Sequence, residues 1–175
     1  LANPDAMREP LASAEEAGIP VITINSGENE SASLGAITHV GQTETVAGQG
    51  AGEQLAEAGV TNLICVIHEP GNIGLEQRCE GATEGLGGTV ENLQVDINDV
   101  AGAQTTIQSS LQADPSVNGV LALNPAIGVA ALQYTDPDTW VGPDPNPAVD
   151  GNDEVALMAR DAGEQALGAD PPEHV

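Results

Sequence analysis

Residues 68–81, HEPGNIGLEQRCEG, hold the chain's best-placed polar chemistry. An apolar run, LICVI (63–67), leads into a Pro-Gly turn. Asn72-Ile73-Gly74 then opens a helical pattern, and Arg78 sits one turn inside it. The free N–H groups of a helix start point outward, and a guanidinium one turn further in offers five fixed donors. That combination suits a polar ligand. It suits equally an Arg78 that pairs with Glu76 or Glu80, or one that stays in water. Asn25 and Ser26 end one apolar run, and Asn124 ends another ahead of Pro125. Short polar side chains at strand ends bond hydroxyl groups, and they also cap helices and close turns.

Other candidates carry less. His39, His68 and His174 are scattered; His68 follows a strand and is placed either to touch a ligand or to serve structure. No Ser or Cys nucleophile stands at a recognisable spacing from a histidine base. Asp96 and Asp99 are an acid pair on paper, but Asp99 reads as a helix cap. AGQGAG (47–52) lacks the GxGxxG spacing and falls inside a helical pattern rather than after a strand. The expectation there is close helix–sheet packing. No CxxC or Cys/His cluster suggests a metal, and no cofactor is implied. Cys65 and Cys79 lie on a strand and on the next helix. They form either a disulfide, which implies an oxidising compartment, or two buried thiols.

The elements that position these residues alternate. Helical patterns span 3–18, 43–59, 74–87, 99–114 and 125–133, with Asn3, Thr43 and Asp99 as caps and Gly18 and Gly59 as stops. Short apolar strands span 19–24, 36–40, 62–67, 89–97 and 117–123, and NSGENESAS (25–33) reads as a polar loop. Helices of about a dozen residues between such strands imply right-handed crossovers and a parallel sheet buried on both faces. The fold class is therefore α/β. Ligands of open parallel sheets sit at the carboxyl ends of the strands, which are the loops at Asn25, His68, Ile97 and Asn124.

Composition narrows the function. The net charge is −24, from 27 acids against three arginines and no lysine. That surface repels nucleic acid, which demands clustered cations, and anionic lipid as well. It suits high salt, where self-repulsion is screened over less than the roughly 8 Å of physiological solutions. The core is aliphatic, since the chain has no Phe, one Trp and one Tyr. No apolar run reaches the roughly 20 residues of a membrane span, and no signal peptide is present in this chain, which begins at Leu1. The last 42 residues, 134–175, form a tail with six of the twelve prolines, and DEVALMARDAGEQALG (153–168) within it reads as a short helix.

AGIPVITINSG, HVGQTETVAGQGAGEQL, CVIHEPGNIGLEQRCEG and LQADPSVNGVLALNPAIGVAAL occur in this order. Over residues 1–133 they resemble the type I periplasmic solute-binding proteins of sugar ABC transporters, the ribose- and galactose-binding kind. The resemblance implies two Rossmann-like lobes with a hinge and a ligand between them. It also implies delivery of a neutral monosaccharide, polyol or similar molecule to a membrane permease, from the periplasm or an extracellular, sometimes lipid-anchored, position. By the same resemblance Asn25, Ser26, Arg78 and Asn124 bond sugar hydroxyls, with Asn72 near the ligand. Residues 1–38 are then a remnant of the first lobe and 39–133 the second lobe, both incomplete. The tail has no counterpart there, so the expectation is a fragment, an incomplete gene or a shifted frame. The usual aromatic platforms are missing, Tyr134 and Trp140 aside, and the chain alone is expected to bind weakly or not at all. Two alternatives remain. One is the ligand-sensing core of a lactose-repressor-like transcription regulator, which lacks its basic head here. The other is an α/β enzyme, for which no catalytic constellation is present.

Overall fold

The computed structural model describes residues 1–132 and the backbone of a strand at 155–157. The expected roles of Tyr134, Trp140 and His174 lie outside the described residues. Helix α1 (Pro4–Glu16) starts as its sequence dictates: the Asn3 side chain accepts from the Ala6 N–H at 3.1 Å, and Pro4 takes the first helical position. Strand β1 (Val21–Ile24) follows and pairs in parallel with β2 (Ala36–Val40). Between them the expected loop folds into a helical turn, α2 (Glu28–Ser31), and a 3-10 turn at Ala32–Leu34. Hydroxyls of Ser31 and Ser33 bond back to the carbonyls of Glu28 and Glu30, and acids at the turn's start favour its positive end. Strand β2 carries the first sheet through Val40, which pairs with Ile24.

The second sheet is built from β3 (Asn62–Ile67), β4 (Thr89–Gln94), β5 (Gly119–Ala122) and β6 (Val155–Leu157), in the order β4-β3-β5-β6. The first three are parallel, as expected, and β6 runs antiparallel along β5. Residues 155–157 therefore depart from the expected helix: the open edge of β5 offers a ladder of backbone partners that an isolated helix lacks.

Strand period two sorts the core into layers. Ile64, Val66, Val120 and Ala122 face α5 (Val100–Ala113) and α6 (Pro125–Leu132) through Ile107, Leu111 and Ile127. Leu63, Cys65, Ile67 and Leu121 face α3 (Glu44–Glu57) and α4 (Ile73–Leu86) through Leu55, Leu75 and Cys79. The central strands are buried on both sides, so the layers are helix, sheet, helix. Cys65 and Cys79 are joined in a disulfide that ties β3 to α4, with a Cα–Cα distance of 5.8 Å.

The glycines of AGQGAG do not pack against the sheet. Gly48 and Gly52 of α3 meet Gly81 and Gly85 of α4 in a helix–helix seam. A Cβ at Gly81 would collide with the Thr45 carbonyl, and one at Gly48 with the Arg78 carbonyl. Backbone cannot give way as a flexible side chain can. Gly81→Val is therefore expected to destabilise by about 1–3 kcal/mol in urea unfolding, as overpacking does. Gly50, on the same helix with open space around it, is the control. Gly50→Ala should stabilise by about 0.5–1 kcal/mol through helix propensity.

Candidate functional site

Three strand ends and one helix start converge. At the end of β1, Asn25 takes a left-handed backbone conformation (φ 66°), which Asn tolerates better than most residues. Its N–H donates to the Val40 carbonyl at 2.9 Å, fixing the turn to the end of β2. The turn sends Ser26 inward, where it is only 6 % exposed and donates to Asn25 Oδ1 at 3.2 Å. Ser26 lies against Gly74 in the first turn of α4; a Cβ there would come within 2.5 Å of Ser26 Oγ. Glycine at 74 is thus what lets the β1 loop reach α4.

The start of α4 is capped by Asn72, whose Oδ1 accepts from the Gly74 N–H at 3.1 Å while its Nδ2 donates to Glu69 at 2.8 Å. Asn124, beyond β5, caps α6 in the same way, accepting from the Ala126 N–H at 2.8 Å. Capping uses the amide oxygen; in Asn124 the amide N–H groups, with no bond among the described residues, are what remain for a hydroxyl.

Arg78 is 7 % exposed and its Nε donates to Glu44, itself 4 % exposed. The partner at Nε is neither Glu76 nor Glu80. Both of those neighbours share Arg78's own helix, whereas Glu44 comes from the first turn of α3, brought within reach by the glycine seam. A carboxylate at a helix start also meets the positive end of the helix dipole. Sequence reading missed Glu44: the residue is 34 positions from Arg78, and it looks like an ordinary first-turn acid.

All five expected residues, Asn25, Ser26, Asn72, Arg78 and Asn124, line one hollow of about 180 Å³, joined by Glu44, His68 and Glu69. The lining is polar apart from Leu75 and Leu123 at the strand and helix edges. Its volume is below the roughly 300–1,000 Å³ of small-molecule pockets. A second hollow of about 340 Å³ lies beside Asp96, Asp99 and Thr106 and contains none of these five. Its carboxylates are engaged locally. Asp99 caps α5 through the Gly102 N–H at 2.9 Å. The Asn98 backbone N–H, then its side chain, hold Asp96 below the ordinary carboxylate value of 3.8. A carboxylate held low supports the fold above that value and loses its support as pH falls below it. Among the described residues no group of three or more His, Cys, Asp or Glu is placed to hold a metal.

Comparison with known proteins now places the chain. It is similar to the crystal structure of a carbohydrate transporter from Acidothermus cellulolyticus 11B in complex with myo-inositol. The identity is 35 % and the TM-score 0.73, over 76 % of this chain and 46 % of that one. A periplasmic solute-binding protein of an ABC transporter from Actinobacillus succinogenes 130z, with bound D-allose, gives 25 % identity and a TM-score of 0.56 over 73 % and 48 %. An ABC transporter solute-binding protein from Mycobacterium smegmatis, with bound glycerol, gives 25 % and 0.60 over 75 % and 46 %. The chain thus spans about half the length of these structures. No curated protein matches it. The pattern of the periplasmic binding protein domain matches residues 1–172, well beyond residue 133, where the motif resemblance stops, so the tail falls within the family as well. With its layered α/β fold and a polar hollow at the strand ends, the chain belongs to the periplasmic binding protein domain family.

Proposed function

We propose that the protein is a solute-binding protein that captures a neutral monosaccharide, polyol or similar hydroxyl-rich molecule for an ABC transporter permease. The observation that carries this reading is the convergence of Asn25, Ser26, Arg78 and Asn124 on one hollow, from the loops after β1 and β5 and from helix α4. Together they supply amide, hydroxyl and guanidinium groups, which suit a ligand made of hydroxyls. The relatives with bound myo-inositol, D-allose and glycerol point to the same ligand class. The site is one of binding, and no step of chemistry is assigned to it. Residues 1–38 are read as part of the first lobe and 39–133 as part of the second. The disulfide fits an oxidising compartment, periplasmic or extracellular.

A calorimetric screen of the full-length protein against sugars and polyols tests the reading. Saturable 1:1 binding of a neutral polyol is expected, and no binding across the panel would refute it. The acidic surface is read as salt-adapted: at a net charge of −24, the melting temperature should rise from low to molar NaCl as repulsion is screened. A flat profile would remove that adaptation.

A further inference from the structure

We propose that Glu44 is a specificity-determining residue of the hollow. It cancels the Arg78 charge, so that the site takes neutral hydroxyl-rich ligands and refuses sugar acids. The inference rests on the polyol-binding reading and deepens it. Among the described residues, Arg78 is the one Lys or Arg lining the hollow, and it faces two carboxylates there, Glu44 and Glu69. The two acids differ. Glu69 is exposed at the mouth, bonded to Asn72 and screened by water. Glu44 is buried against the guanidinium, paired at Nε, and lines the same space. A buried cation on its own attracts a ligand carboxylate strongly, because the low local dielectric enlarges the interaction. With Glu44 in place that attraction is already used, and an incoming carboxylate meets a net negative lining. Specificity of this kind comes from repulsion of the wrong ligand as much as from contacts to the right one. Glu44 need not touch the ligand; it acts through Arg78.

The test is calorimetry on the full-length protein. The ligands are the best-bound of a neutral panel (myo-inositol, D-allose, glycerol) and D-glucuronate, a hydroxyl-rich ring of similar size with one carboxylate. The wild type is expected to favour the neutral ligand. In Glu44→Gln the preference should move toward glucuronate by about tenfold or more, and Glu44→Gln/Arg78→Gln should lose that gain. Because Glu44→Gln removes a buried carboxylate paired with Arg78, its melting temperature is followed too. Glucuronate should raise it more than the neutral ligand does. An unchanged neutral-to-acid ratio in Glu44→Gln, beside a wild type that binds the neutral ligand, overturns the inference alone. So does a Glu44→Gln variant that fails to fold even with glucuronate, which makes the residue structural. A wild type that binds no member of the neutral panel overturns the polyol reading and this inference with it.

Discussion

Arg78→Ala is expected to lose ligand binding and fold stability together. Among the described residues the guanidinium is the one Lys or Arg donor of the hollow, and a hydrogen bond from a charged group contributes about 1.5–3 kcal/mol. Calorimetry should therefore record a loss of that size in polyol affinity. The same change strands Glu44, which is 4 % exposed, and breaking a buried pair from one side costs about 3–5 kcal/mol. Urea unfolding should show it as a lowered midpoint. The two effects separate in a double variant. Arg78→Met/Glu44→Leu replaces the pair with apolar side chains and should regain most of the stability, while binding stays lost. An Arg78→Ala protein with unaltered affinity and midpoint would exclude both roles.

The second large effect concerns the disulfide. Cys65 and Cys79 are fully buried and separated by 14 residues in sequence. Closing a loop of about that length constrains the unfolded chain by about 3 kcal/mol. Cys65→Ala/Cys79→Ala should lower the unfolding free energy by about that amount, with mass spectrometry verifying the bond in the parent. Affinity should fall as well, because Cys79 and Arg78 are adjacent on α4 and the bond anchors that helix to β3. Unfolding energies that agree between variant and parent would show that packing alone holds α4.

Local signals in the sequence located most of the fold. Strand β3 lies over the residues its apolar run indicates, and β2 likewise. Helices α3 and α5 fall within two residues of their caps and stops, because Asn, Thr, Asp and Gly act on neighbouring backbone. The same locality exposes Asn25, Ser26, Asn72 and Asn124, each at a strand end or helix start, and Arg78 one turn inside α4. What the sequence hid depends on distance along the chain. Glu44 finds Arg78 only once α3 and α4 are packed. The seam itself was invisible, since glycine carries no hydropathy to indicate which face of a helix turns inward. The pattern at 153–168 is helical, yet Val155–Leu157 pairs as a strand, because the edge of β5 rather than so short a stretch's own pattern sets its conformation. Asn72 and Asn124 show the converse: the residues expected at the ligand are also helix caps, and each caps through its amide oxygen.

A crystal structure of the full-length protein with its best-bound neutral polyol tests the central claim most directly. The account predicts ligand hydroxyls within about 3.2 Å of the Arg78 guanidinium, the Asn124 amide and Ser26 Oγ in the hollow at the ends of β1, β3 and β5. A polyol seated instead beside Asp96 and Asp99, with those three side chains away from it, would contradict the account.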